Sequence, residues 1–388
     1  MGFLAPAEAI IAAALAQAMA PPAPPDITRW CEQNIVFDER SPMPGPFNIE
    51  RFEFLREIHR VLSPEHPSRE VTVRGSAQWG KTVSVIQPTL GAWFAYAALD
   101  ALVVHPTTSA ATEWVDNKWL PMRRQAADLR RVFGDGRGIN KDNTFNQETL
   151  LRNGSLKVAS AGSPADLTGT SRRLVIMDDL AKYEMTVMGD PEALAVSRAS
   201  GFEDAKILRV STAGIKSTCR ISRAYARSTQ QLFHVPCPHC AVFAPLTWEN
   251  FLSNIDPANL HAAHFSCDSC GCVIQHGDKE KIVGQGHWVA QNPRGDHPGF
   301  HLWRGRGLPG PRPPGHPHPM PLPGLAISTD PSPAIQWRWP ASFPPTSATR
   351  TTSIRWQSSG RMARSTALIR CWPACRDRSS PGLPIRRC

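Results

Sequence analysis

The sequence predicts an α/β fold: a parallel sheet flanked by helices, then a small cysteine-stapled β unit, then a disordered Pro/Arg-rich tail. Three observations carry this. Short apolar, often β-branched runs alternate with helix-length segments across residues 51–232, the pattern of strands joined by crossover helices. One strand-to-helix junction carries a glycine loop at residues 75–82, and two Cys-x-x-Cys pairs follow the last alternation.

Taken in order, residues 1–50 read as a lead-in: an Ala-rich helix stopped by Pro21 and Pro22, then a proline-rich turn. The stretch FLAPAEAIIAAALAQAMA has no basic residue before its apolar run, which makes it a poor signal peptide although its small-residue end keeps that option open, and it is shorter and weaker than a convincing membrane span. In the block 51–232, strands are expected at 71–73, 101–104, 155–159, 174–177 and 207–210, and helices at 51–61, 82–97, 108–131 and 217–229. Residues 233–302 lack long periodic runs and suit a zinc-ribbon-like β unit. Residues 303–388 hold 16 of the 37 prolines and keep no hydrophobic period. They also hold Trp and Cys, unusual in disordered tails, and Arg without Lys. This composition reads as a GC-rich gene translated out of frame from near Trp303, with a genuine disordered tail as the alternative.

Charge follows the same division. The net charge of +10 suggests a nucleic-acid partner. From Trp303 onward, however, there are 13 Arg, two Asp and neither Lys nor Glu, so the residues before it are close to neutral. Nucleic-acid contact would then fall to local pairs such as Arg123-Arg124, Arg130-Arg131 and Arg172-Arg173, each of which also reads as a solvated helix face.

Gly75, Ser76, Ala77, Gln78, Trp79, Gly80, Lys81 and Thr82 fit G-x-x-x-x-G-K-[ST] at every fixed position. Such a loop curls backbone N–H groups around phosphate oxygens and aims a helix N-terminus at them. The fold class is accordingly a P-loop NTPase core. Lys81 is expected to reach the β and γ phosphates of ATP, and the Thr82 hydroxyl to ligate Mg2+. A second signature is expected downstream, and the run Leu174-Val175-Ile176-Met177-Asp178-Asp179 supplies it. Asp178 is read as the Mg2+ carboxylate and Asp179 as the group that orients or deprotonates the attacking water, with Glu184 in reserve. Ser211 and Thr212 follow another apolar strand and are read either as γ-phosphate sensors or as an ordinary turn and cap. Arg74 stands where it could stabilise phosphoryl charge, or as a surface arginine.

Cys237, Cys240, Cys267 and Cys270 form two knuckles, each aiming two thiolates at one point, and are expected to hold a closed, structural Zn2+. His239 and Cys272 lie close by and are read as bystanders, with substitution of either for a primary ligand as the alternative.

Together these motifs resemble the large terminase subunit of tailed bacteriophages, of the lambda-like GpA type, over about residues 25–302. The resemblance rests on Trp30 and Pro44-Gly45-Pro46-Phe47, on GSAQWGKT, and on the segment 161–167. It continues through LVIMDD, Ser211-Thr212, the two knuckles, Gly286-His287-Trp288 and Gly299-Phe300-His301-Leu302. It implies an ATP-driven motor that packages double-stranded DNA into a procapsid in the host bacterial cytoplasm. The implied partners are a terminase small subunit, the portal protein and further copies of the chain in a ring. It also implies an endonuclease half. That activity is expected to be lost here, since two-metal cleavage needs clustered carboxylates. Asp179 in place of Glu and Ala181 in place of an acid depart from the family pattern. The alternatives are a helicase-like repair ATPase, and a zinc-stapled DNA-binding prophage remnant without turnover.

Overall fold

A computed structural model describes residues 24–37, 44–133, 154–214, 218–256 and 262–302, with Ile11, Ala12, Leu15, Glu39, 147–149 and Asn259 besides. Apart from Ile11, Ala12 and Leu15, the Ala-rich lead-in helix falls outside these residues, as does the whole of 303–388, with the readings made of them.

In chain order the strands are β1 (Val36–Phe37), β2 (Gly45–Pro46), β3 (Glu70–Gly75), β4 (Asp100–His105), β5 (Gln147–Thr149), β6 (Ser155–Ser160) and β7 (Leu174–Asp178). They continue with β8 (Lys206–Thr212), β9 (Gln231–Pro236), β10 (Phe243–Pro245), β11 (Phe265–Ser266), β12 (Val273–Ile274), β13 (His287–Ala290) and β14 (Gly299–Leu302). The central sheet runs β10-β9-β14-β3-β8-β7-β4-β6-β5, with β13 on β9. From β9 to β6 every pairing is parallel; β5, β10 and β13 are antiparallel additions at the two sides. All five strands expected at 71–210 are present. The sheet does not stop with them: β9 and β14 extend it past residue 232, and β14 lies directly against β3.

The apolar runs read as continuous because both faces are covered. Val103, Leu174, Ile176 and Leu208 belong to one buried cluster, whereas Leu102, Val104, Val175, Met177 and Ile207 belong to the other. Successive side chains on a strand point to opposite faces, so a strand buried on both needs apolar residues throughout.

Prolines shape the helices. The expected helix 82–97 begins as a π turn, Thr82–Ile86, before the α-helix Gln87–Tyr96. The expected helix 108–131 is three helices, Thr108–Trp114, Leu120–Gln125 and Ala127–Phe133, with a π turn at Val115–Trp119. A proline stands two residues past each π turn (Pro88, Pro121), and it has no N–H to return to the carbonyl four residues back. The chain bonds five back instead, Gln87 N–H to Thr82 O and Leu120 N–H to Val115 O. The extended Ala126 then breaks the run (ψ 119°).

The lead-in contributes one helix the sequence reading missed, Ile27–Asn34, capped by the Asp26 side chain. It packs on the helix behind the glycine loop so closely that a Cβ at Gly91 would fall 2.0 Å from Trp30 Cη2.

Candidate functional site

Parallel strands carry their C-terminal ends to one edge of the sheet, where open α/β folds bind ligands. Here that edge gathers Gly75 (β3), Thr212 (β8), Asp178 (β7) and His105 (β4). β8 lies between the loop strand and the acid strand, so the charged groups must reach across its tip. They do. Lys81 Nζ lies 2.5 Å from Asp178 Oδ1 and also contacts Asp179 Oδ1.

The loop itself is curled by left-handed backbone at Gln78 (φ 57°) and Gly80 (φ 94°). Gly75 is required by space rather than by its own φ: a Cβ there would sit 2.3 Å from Trp79 Nε1. Trp79 is 4% exposed, and its N–H has no partner among the described residues. Ser76 N–H donates to Leu302 O at 3.0 Å, tying the loop to β14. Behind the loop, Pro88 leaves the Ser84 carbonyl without its helical donor. His59 Nε2 supplies one at 2.7 Å, and Thr28 Oγ1 lies 3.0 Å from His59 Nδ1. Since Nε2 must donate to a carbonyl, Nδ1 accepts from the Thr28 hydroxyl, and the imidazole is neutral. Burial pushes its pKa down to about 4.

Charge in the cluster is balanced by contact. Burial opposes the Lys81 ammonium, but Asp178 and Asp179 outweigh it and hold its pKa above the ordinary lysine value. Burial raises the Asp178 carboxyl against the pull of Lys81. Asp179 is also penalised by burial, but Lys81 and Lys182 bring it below the usual carboxylate range. Asp179 sits in the left-handed region (φ 52°), a strained conformation for a non-glycine residue, and its Oδ2 accepts from Lys182 Nζ at 2.7 Å. Ser211 Oγ accepts from Ala181 N–H at 3.1 Å and donates to Thr212 O at 2.8 Å, linking the tip of β8 to the turn after Asp179.

Thus the structure gathers Lys81, Asp178, Asp179 and Ser211, with Thr212 at the same strand tip and Thr82 opening the π turn. Arg74 is engaged with other groups: its Nε donates to His301 Nδ1 at 3.2 Å and its guanidinium lies 4.2 Å from the Tyr225 ring centre. Three of the arginine pairs' members are engaged or buried, two of them (Arg172 and Arg123) inside the fold and Arg173 in an ion pair at the surface. Arg172 is buried and donates to Ser155 Oγ, Arg173 contacts Asp204, and Arg123 is buried. Sequence reasoning missed His105, which is 3% exposed with Nδ1 3.6 Å from Asp178 Oδ2 and Nε2 unpartnered among the described residues. Burial and then Lys81 push its pKa down to about 4. The expected strand 101–104 stopped one residue short of it; the Pro106 that follows was the signal that His105 ends the strand.

At the far side of the sheet, β9 runs directly into the first knuckle. The two knuckles repeat one hydrogen-bond pattern. Cys237 N–H donates to Val242 O and Ala241 N–H to Cys237 O; Cys267 N–H donates to Cys272 O and Gly271 N–H to Cys267 O. Ala241 and Gly271 are both left-handed (φ 59° and 70°). The sulfurs of Cys237, Cys240, Cys267 and Cys270 all lie within 4.8 Å of one another, with Cys237–Cys270 at 3.8 Å and Cys240–Cys267 at 3.7 Å. A tetrahedral zinc with Zn–S of about 2.3 Å has S···S edges of about 3.8 Å, so the donor set fits that ion.

Fold and site define a phosphate-loop protein of the α/β class with a four-thiol knuckle pair. The family model described as phage terminase large subunit gpA, ATPase domain, matches residues 41–288. The chain belongs to that family. It is similar to the terminase large subunits of Enterobacteria phage P21 (26% identical over 226 residues) and Escherichia phage lambda (23% over 261 residues). Those alignments cover 55% and 66% of this chain but 34% and 40% of the relatives, so the chain matches between a third and two fifths of their length. Among solved structures, the HK97 bacteriophage large terminase aligns at TM-score 0.41 and 17% identity, covering 67% of this chain and 51% of that one. The Thermus phage P74-26 large terminase ATPase domain aligns at 0.35 and 13%, covering 67% and 81%.

Proposed function

We propose that the chain is the ATP-hydrolysing motor portion of a bacteriophage terminase, driving duplex DNA into a procapsid. The observation that carries this is the Lys81 ammonium held between Asp178 and Asp179 across the tip of β8. That arrangement has one ammonium and two carboxylates to exchange. The ammonium can pass to phosphate oxygens, the Asp178 carboxylate to a divalent cation and the Asp179 carboxylate to a water. Thr82 and Asp178 would hold Mg2+, which supplies charge neutralisation at the β and γ phosphates. Lys81 and the amides of the loop bind the phosphates, Asp179 orients the attacking water, and Ser211 and Thr212 report the loss of the γ-phosphate to the turn at Ala181.

Arg74 is the reserve cation for phosphoryl charge and would have to leave His301 and Tyr225 to act there. Cys237, Cys240, Cys267 and Cys270 would hold Zn2+, which fastens the end of β9. The family supports double-stranded DNA, a terminase small subunit, the portal protein and a ring of further copies as partners, in the host bacterial cytoplasm. Among the described residues no helix is long and apolar enough to cross a membrane.

The decisive experiment is ATP turnover with Mg2+, with and without linear duplex DNA. Turnover that rises with DNA supports the motor. A second reading, a zinc-stapled DNA-binding protein without turnover, is favoured by one feature: Asp179 is engaged by both Lys81 and Lys182. DNA binding without hydrolysis in folded, zinc-loaded protein would support that reading instead.

A further inference from the structure

The second knuckle carries one thiol more than a tetrahedral metal uses. Cys272 lies two residues past Cys270, and its Sγ is 3.2 Å from Cys237 Sγ, closer than either ligand edge given above. It is half-buried, between the buried Cys237 and the exposed Cys270. Its place in the fold is fixed by backbone: its carbonyl accepts from Cys267 N–H, and β12 begins at the next residue. Val242 holds the equivalent place in the first knuckle, with its carbonyl on Cys237 N–H. The repeated knuckle therefore needs no sulfur at this position, and a non-thiol serves it equally well.

We propose that Cys272 is a reserve thiol that makes the cysteine cluster a peroxide-responsive site. Oxidation joins Cys237 to Cys272 and withdraws Cys237 from the metal. The inference rests on the four-cysteine zinc reading above. The oxidant is a hydroperoxide. One sulfur of the pair attacks the peroxide: an S–O bond forms, the O–O bond breaks, and the released hydroxide leaves as water after taking a proton. The second sulfur then attacks the sulfenic sulfur. The S–S bond forms, the S–O bond breaks, and the second oxygen departs as hydroxide or water. Two thiol sulfurs are oxidised by two electrons and the peroxide is reduced. Zinc is left with three thiolates and a weakened cage. β9 ends one residue before Cys237 and pairs with β14, whose Leu302 holds the Ser76 amide of the glycine loop. Opening the cage therefore loosens a strand only one removed from the strand that carries the loop.

The test uses the full zinc-loaded chain, wild type and Cys272→Ser, treated with hydrogen peroxide. Zinc content is measured before treatment, its release is followed with a chelating dye, and disulfides are mapped by differential alkylation and peptide mass spectrometry. The wild type is expected to lose zinc in step with a Cys237–Cys272 disulfide. Cys272→Ser is expected to keep one zinc per chain and release it several-fold more slowly. Equal release rates, or a Cys272 that stays free while the other four cysteines pair, overturn the proposal. A Cys272→Ser chain that lacks zinc before treatment would make Cys272 a ligand and also overturn it. A wild-type chain with no zinc before treatment is a separate result: it removes the zinc reading itself, and this proposal with it.

Discussion

Acidification should weaken this protein through one buried imidazole, and His59→Gln should remove that weakness. His59 is 1% exposed and holds its neutral form by donating to Ser84 O and accepting from Thr28. Its pKa in the fold is about 4, against about 6.5 for an unfolded chain. With a depressed folded pKa, the contribution to stability is complete above the unfolded value and is lost as pH falls toward the folded one. Between about pH 7.5 and about pH 4.5 the unfolded chain takes up a proton that the native chain refuses, which costs on the order of 2–3 kcal/mol. Gln can still donate an N–H to the Ser84 carbonyl that Pro88 leaves open, and it does not titrate. Urea denaturation of both proteins across this pH range isolates the histidine, because every other titrating group cancels in the difference. The wild type should lose roughly 2–3 kcal/mol more than His59→Gln over the window. Equal losses in the two proteins would refute the assignment of a neutral, doubly bonded His59.

Gly75→Ala should displace the Trp79 ring, since its Cβ would stand 2.3 Å from Trp79 Nε1. Nucleotide affinity measured by calorimetry should fall about tenfold or more, the equivalent of at least about 1.4 kcal/mol; unchanged affinity would show that the loop tolerates a side chain there. Ser211→Ala removes the acceptor of the Ala181 N–H and should cost about 1 kcal/mol of stability. ATP binding should survive this change while turnover drops, read as a fall in kcat with KM little altered. Cys267→Ser deletes one thiolate of the four-sulfur cage. Zinc per chain, measured by elemental analysis, should fall well below one, with a lowered melting temperature; full zinc occupancy would contradict the ligand assignment.

Much of the site was legible in the sequence because local chemistry defines it. GSAQWGKT fixes its own loop through spacing, and the apolar run ending at Asp178 marks a buried strand tip without knowledge of its neighbours. The knuckles are also local: each Cys-x-x-Cys turn is followed by a left-handed residue, at Ala241 and Gly271. What was illegible depends on distant contacts. Nothing in 231–236 or 299–302 announces that β9 and β14 join the main sheet, since β14 pairs with β3, more than two hundred residues earlier, and β9 joins only through β14. Arg172 resembles a surface basic residue until Asp100 and Ser155 are brought beside it. Arg74 reads as a loop-flanking cation, yet its partners come from residues 225 and 301. The helix breaks near Pro88 and Pro121 were visible as prolines, but the π turns that absorb them, and the His59 donor at Ser84, needed the tertiary structure.

The central claim is that Lys81 serves a nucleotide bound at this sheet edge. Its most direct test is Mg2+-dependent ATP turnover by the wild type and by Lys81→Ala, with both shown to be folded by circular dichroism. The account predicts steady turnover in the wild type and loss of nearly all of it in the variant. Turnover unchanged by Lys81→Ala, or absent from a folded, zinc-loaded wild type supplied with DNA, would contradict it.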